Sequence, residues 1–273
     1  MAITRIHPST RPAAVAGMFY PGARDELVAS VDQLLAEVPT VETPQPKALI
    51  VPHAGYIYSG ATAAMAYASL ARWRANIRRV VLLGPTHRVA VNGIALPKTE
   101  AFATPLGNIR LDTAAIAQLA KFPQIVFSDH VHAQEHSLEV HLPFLQRVLD
   151  DFTLVPLAVG HATPQAVAEV IDLLWGGPET LIVISSDLSH FLPYNAANQV
   201  DRDTCQHILQ LDSPFQPDQA CGAFPINGLL LTARQRGLTP QLINYCNSGD
   251  TAGDKQRVVG YAAFAFYETA HHG

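Results

Sequence analysis

"KALIVPHAGYIYSG" (residues 47–60) decides the fold. Four apolar residues, Ala48 to Val51, run without alternation into Pro52 and His53. An unbroken apolar run of this length reads as a strand buried on both faces, the pattern of a parallel sheet covered by helices. The small-residue segment "SGATAAMAYASLAR" (59–72) then reads as a helix. The same order recurs along the chain. "RVVLLG" (79–84) is a second buried strand and leads into Pro85, Thr86 and His87. "FTLVPLAVG" (152–160) is a third, followed by a helix at 163–175 with Thr163 as N-cap and Pro164 at its first position. "TLIVISS" (180–186) is a fourth, running into Asp187 and His190. Helices are predicted at 112–121, 137–150, 195–211 and 222–236, and two late strands in "QLINYCNS" and "QRVVGYAAFAFYE". This alternation predicts a three-layer α/β/α architecture with a mixed, mostly parallel central sheet whose late strands run antiparallel.

Composition removes several classes of function. The 273 residues are 48% hydrophobic and 15% charged, which suits a folded, enzyme-sized chain. A formal net charge of −5 gives no electrostatic footprint for nucleic acid. The apolar runs, such as Gly260–Tyr267, are far shorter than a membrane span, and the first residues lack the apolar core of a signal peptide. Cys205, Cys221 and Cys246 cannot all pair, and none forms a CxxC motif, so the expected compartment is the reducing cytoplasm.

Chemistry collects at the strand ends. Parallel strands finish along one edge of a sheet, and ligands bind there. Three strands therefore deliver His53, His87, Asp187 and His190 to one neighbourhood. A single histidine would be read as a hydrogen-bonded loop residue, but three strand ends carrying histidine predict a metal centre. Two histidines need a third, anionic donor to hold a divalent cation, and Asp187, Glu135 and a thiolate are the candidates. Cys221 stands just before the 222–236 helix, where a helix N-terminus can lower a thiol pKa; it reads equally well as a small buried hydrophobe. In "DHVHAQEHSLEVH" (129–141), Glu135 and His136 are candidates for a position behind the ligands, and Glu139 is spaced to share a face with His136. His130 and His132 read as parts of a polar loop. His161 is a weaker candidate, and His7, His207, His271 and His272 read as surface or tail residues. "SSDLSH" has no elbow motif around it and does not read as a hydrolase triad.

The blocks "RPAAVAGMFYPG", "VPHAGYIYSG", "LLGPTHRV", "EHSLEVHLPFLQ", "ISSDLSHF" and "CGAFPINGLL" together resemble the Memo family, from about Arg11 to the late strands. The resemblance implies one Memo-like domain over residues 1–273, with the fold of the class III extradiol ring-cleaving (LigB-like) dioxygenases. It implies His53, His87 and Cys221 as metal ligands, and Asp187 and His190 lining the site, with His190 as acid/base. It implies a non-haem metal, Fe(II) first and copper or zinc as alternatives, in an oxidoreductase-like enzyme of unassigned substrate. A thiolate in place of the dioxygenases' carboxylate is softer and more electron-donating, so it tolerates iron while favouring copper or zinc. Prokaryotic relatives are commonly encoded beside a radical-SAM protein, which implies a pathway partner. Eukaryotic relatives are associated with phosphotyrosine-peptide binding, so the alternative is a binding or metal-sequestering protein using the same cleft. Arg88, beside His87, is the only obvious cation within the motif blocks near the sheet edge.

Overall fold

The computed structural model describes residues 9–40 and 42–269; His7, His271 and His272 lie outside them. In chain order the strands are β1 (Thr10–Arg11), β2 (Ala48–Val51), β3 (Arg79–Pro85), β4 (Ile94–Leu96), β5 (Ala101–Thr104), β6 (Gly107–Arg110), β7 (Ile125–Phe127), β8 (Thr153–Val159), β9 (Thr180–Ser185), β10 (His190–Leu192), β11 (Thr239–Asn247) and β12 (Val258–Tyr267). The helices are α1 (Arg24–Ala36), α2 (Tyr56–Ala68), α3 (Thr113–Leu119), α4 (Asp129–Ala133), α5 (Leu142–Val148), α6 (Pro164–Leu173), α7 (Tyr194–Leu209) and α8 (Ala223–Arg236).

The four runs read as buried strands form the parallel centre of the main sheet, in the order β2-β9-β3-β8. β12 extends it antiparallel to β2, and β10 and β11 both pair with β12. On the far side β4 runs antiparallel to β8, and β7 lies parallel to β4. A separate small sheet joins β1, β5 and β6. Every residue of β2 and β9 is buried, as continuous apolar runs in a covered sheet require. α1 and α5 pack on α2, which lies against β2, β11 and β12, while α6 packs on α8, which lies against β3 and β9. The mixed sheet between helical layers matches the expected architecture.

Local signals set several element ends. Thr163 caps α6 by accepting from the Ala166 N–H, with Pro164 at the first helical position. The C-terminus of α8 closes on Gly237, whose φ of +68° suits glycine. The 137–150 helix is shorter than its periodicity predicts: Glu139–His141 is a 3₁₀ turn and α5 begins at Leu142. The polar side chains of that stretch serve distant partners instead. The Ser137 hydroxyl donates to the Pro85 carbonyl, and Glu139 accepts from Arg11 and Tyr20. Glu139 and His136 therefore do not act as a pair on one helical face.

Candidate metal centre

The strand order β2-β9-β3 places the ends of three sequence-distant strands side by side. The Ser186 N–H still donates to the Val51 carbonyl, at 3.0 Å. Beyond that the chains diverge, and the side chain of Asp187 takes over: its Oδ1 accepts from the His53 N–H at 2.8 Å. The end of β3 is handled in the same way. The His87 N–H donates to Glu135 Oε2 at 2.5 Å. At both histidines a carboxylate satisfies a backbone donor that the sheet no longer reaches.

Hydrogen bonds also fix the proton on each ring. His53 is 2% exposed, and its Nδ1 lies 2.6 Å from Ser185 Oγ. That hydroxyl donates its own proton to the Ser137 carbonyl at 2.6 Å, so it must accept from His53. His53 thus carries its proton on Nδ1 and presents a lone pair on Nε2. His87 Nδ1 lies 2.9 Å from Glu135 Oε1, and a carboxylate only accepts, so its Nε2 is also free. His190 donates from Nδ1 to the Leu188 carbonyl at 2.9 Å, which leaves Nε2 as its basic nitrogen. Metal-binding histidines are oriented in this manner, with the second nitrogen donating to a carboxylate, hydroxyl or carbonyl.

The donors converge. One ligand atom from each of His53, His87 and His136 lies within 4.8 Å of the others, so the three can hold a metal ion. The His136 ring stacks on His87 with centroids 4.6 Å apart and stands edge-on to His53 at 5.3 Å. Cys221 Sγ lies 3.4 Å from His53 Nε2, and Asp187 Oδ2 lies 3.9 Å from the same nitrogen. Nitrogen and sulfur donors bound to one tetrahedral ion, at roughly 2.0 and 2.3 Å from it, are about 3.5 Å apart. The three histidines therefore suit a cation, and the single spacing of Cys221 to His53 is compatible with two donors on one ion.

Electrostatics complete the description. Burial, and then the neighbouring imidazoles, hold His53 well below the ordinary histidine pKa, so it is neutral. Burial likewise lowers His136 to about 4. Glu135 is buried too, but the ring and backbone N–H groups of His87 and the Ser137 N–H overcome that penalty and hold it at about 2. Burial raises Asp187 to about 7 against the opposing His53 N–H. The helix N-terminus near Cys221 does not lower its thiol. Burial, and then the Asp187 carboxylate, push it up, so the proton stays until a cation displaces it.

The strand-end candidates His53, His87 and Asp187 are thus brought together, with Cys221 beside His53 and Glu135 behind His87. His136, read from sequence only as a position behind the ligands, stands within the cluster. His161 is exposed, with its ring against Phe224, and His130 is exposed on α4; neither joins it. His132 donates from Nε2 to the Ala95 carbonyl, and His141 meets the Tyr67 hydroxyl. Cys205 lies within α7 and Cys246 within β11. Sequence reading missed Ser185 as the partner of His53, having weighed it only as a nucleophile. It also missed Phe19, whose ring lies 4.7 Å from His136. The signal available for Ser185 was a hydroxyl ending a wholly buried strand, where it needs a polar partner.

The fold and the site define an α/β protein with a histidine cluster, able to hold a metal ion, at the ends of its parallel strands. The family described as Memo-like protein matches residues 11–265, and the chain belongs to it. A MEMO1 family protein of Ignicoccus hospitalis is 36% identical, covering 94% of this chain and 98% of its own. One from Aquifex aeolicus is also 36% identical, with the same coverage of 94% and 98%. Among solved structures, the uncharacterized protein JW3007 from Escherichia coli K12 shares the fold at a TM-score of 0.50 and 12% identity, over 81% of this chain and 99% of that one. No helix among the described residues is long and apolar enough to cross a membrane.

Proposed function

We propose that this Memo-family chain, as one domain over residues 1–273, is a non-haem metal-dependent oxidoreductase-like enzyme acting on a small organic molecule in the cytoplasm. His53, His87 and Cys221 would hold the metal, Fe(II) first and copper or zinc as alternatives, with His136 close enough to add a fourth donor. The observation that carries the reading is the approach of Cys221 Sγ to His53 Nε2 at 3.4 Å, with the imidazole proton held on the far nitrogen by Ser185. Iron bound there would supply Lewis acidity and a one-electron redox couple. The remaining work falls to the chain itself. Glu135 holds His87 in its metal-binding tautomer. His190, with its proton fixed on Nδ1, takes or gives a proton at Nε2. Asp187 holds the His53 backbone through Oδ1 and sets its second carboxyl oxygen 3.9 Å from His53 Nε2. A radical-SAM protein as pathway partner belongs to the same reading.

The test is anaerobic reconstitution with Fe(II), followed by oxygen uptake against catechols and a panel of small organic acids. Turnover that is lost in His190→Gln supports the reading. Tight metal binding with no turnover under any metal overturns the enzyme and leaves sequestration. A binding role for the same cleft has one observation in its favour. Met18 and Phe191, adjoining Phe19 and His190 in sequence, are apolar and 72% and 59% exposed. Titration with phosphotyrosine peptides would separate that role from the first.

A further inference from the structure

A second buried polar cluster lies behind the metal centre. Arg11 is 4% exposed and Glu139 is fully buried. The guanidinium makes four hydrogen bonds, one to a carboxylate and three to backbone carbonyls. Nη1 pairs with Glu139 Oε2 at 2.5 Å and also reaches the Pro12 carbonyl at 3.2 Å. Nε donates to the His132 carbonyl at 2.8 Å, and Nη2 to the Glu135 carbonyl at 2.7 Å. The Glu139 carboxylate accepts three further bonds: from the Ala14 N–H at 2.8 Å, the Val15 N–H at 3.0 Å and the Tyr20 hydroxyl at 2.6 Å. Both charged groups are thus hydrogen-bonded on several sides, the condition under which a buried ion pair is tolerated.

The arrangement grips two segments that are remote in sequence. One is the 132–139 stretch, which carries Glu135 and His136. The other is the 11–20 stretch, which carries Phe19, the ring set against His136. Phe19 is fixed within its segment by its N–H to the Val15 carbonyl at 2.9 Å, and its own carbonyl accepts the Tyr56 N–H at 2.8 Å. Tyr56 in turn donates through its hydroxyl to the Val140 carbonyl, at 2.8 Å. The Glu135 carbonyl is on Arg11 while the Glu135 carboxylate is on His87, so a single residue links the ion pair to the imidazole. Glu135 and Phe19 touch the donor rings of His87 and His136, whereas among the described residues Arg11, Glu139 and Tyr20 make no hydrogen bond to them.

We infer that Arg11, Glu139 and Tyr20 form a clasp that positions the metal centre, acting through Glu135 on His87 and through Phe19 on His136. The inference rests on the metal reading proposed above. Groups that orient metal-bound histidines from outside change affinity by roughly 10–100-fold when altered. Glu139→Gln keeps the shape but breaks the charge pairing, and should weaken Co(II) binding by about tenfold or more within that range. Tyr20→Phe removes one hydrogen bond and leaves the ion pair, so it preserves the fold if Glu139→Gln does not. It should weaken Co(II) by a smaller, measurable factor and change the ligand-field spectrum.

Stability alone has to be separated from positioning, and Lys47 provides the control. It lies at the opposite end of β2, 5% exposed, with Nζ on the carbonyls of Trp175, Gly177 and Thr180. Lys47→Met should lower the unfolding midpoint without moving Co(II) affinity or spectrum. The experiment is Co(II) titration of wild type and the three variants by absorbance, with urea unfolding of each metal-free protein. Weaker binding and an altered spectrum in Tyr20→Phe, with Lys47→Met unchanged, supports the clasp. Binding in Tyr20→Phe equal to wild type, or weakened equally in Lys47→Met, overturns it. A wild-type chain that takes up no Co(II), Fe(II) or Zn(II) would overturn the metal reading itself and the clasp's role with it.

Discussion

Ser185→Ala probes the candidate metal centre without touching a donor atom. Ser185 is fully buried, and its hydroxyl links the His53 ring to the Ser137 carbonyl through two contacts of 2.6 Å. The substitution strands an imidazole N–H and a carbonyl away from water, and each unsatisfied group costs about 1–3 kcal/mol. The imidazole has an escape. Its proton can move to Nε2, where Cys221 Sγ at 3.4 Å is an acceptor. That tautomer relieves the strain of the metal-free protein but places a proton where the metal lone pair was. Metal binding must then reverse the tautomer and restore the stranded N–H. We expect the metal-free protein to lose about 1–2 kcal/mol by urea unfolding. We expect metal affinity, measured by chelator competition, to fall roughly 10–100-fold, equivalent to about 1.4–2.7 kcal/mol. A dissociation constant within about twofold of wild type, in a protein destabilised as expected, would show that Ser185 only packs and that the tautomer argument is wrong.

Cys221→Ser should weaken metal binding more than any of the supporting substitutions and abolish sulfur-to-metal charge transfer in the Co(II) protein; unchanged metal content in protein purified without added metal would refute its role as a ligand. Gly222→Ala would bring a methyl carbon to 2.6 Å from both the Ser185 carbonyl oxygen and Ser186 Cβ. The expected cost is about 1–3 kcal/mol of stability, together with a displaced Cys221, seen as lost metal affinity. The buried His132 is held down to about 4, so the folded protein keeps it neutral while the unfolded chain protonates it below about 6.5. Stability contributed by His132 is therefore lost as pH falls from about 6.5 toward 4. His132→Gln, which retains a donor for the Ala95 carbonyl, should lose less than wild type by about 1.4 kcal/mol per pH unit between roughly pH 6 and 5. Parallel urea midpoints for the two proteins across that interval would contradict the assignment.

The parallel centre was legible because its residues obey one rule each. Ala48–Val51, Val80–Leu83 and Leu181–Ile184 are continuous apolar runs, and only a strand covered on both faces uses such runs economically. Their ends share an edge, so the sequence alone places His53, His87 and Asp187 together. The Arg11–Glu139 clasp was not legible in that way. Its partners are 128 residues apart, and no periodicity links a short strand to a 3₁₀ turn. Glu139 could be seen only as a helix-face neighbour of His136, because local spacing is all that a sequence displays. The same limit applies to the helix expected from residue 137. Leu138, Leu142, Leu145 and Leu149 are all buried, but long-range bonds from Ser137 and Glu139 claim the first turn. The small strands β4, β7 and β10 are three residues each, too short to carry a pattern. Position Cys221 lay between; its motif context pointed to a ligand, while its protonation depended on burial that composition does not report.

The order β2-β9-β3 also sets a timetable for synthesis. β2 and β3 leave the ribosome early, but the strand that separates them in the sheet ends only at Ser185. Until then the two histidine-bearing strands have a vacancy between them and no shared edge. At roughly 5–20 residues per second, the interval from His53 to Ser185 is about 7–26 seconds, and Cys221 follows still later. Until β9 is in place, His53 has neither Ser185 to fix its ring nor Asp187 to hold its backbone N–H. A metal ion held by this cluster would therefore be acquired only after most of the chain is made, once β9 has brought the two strand ends together.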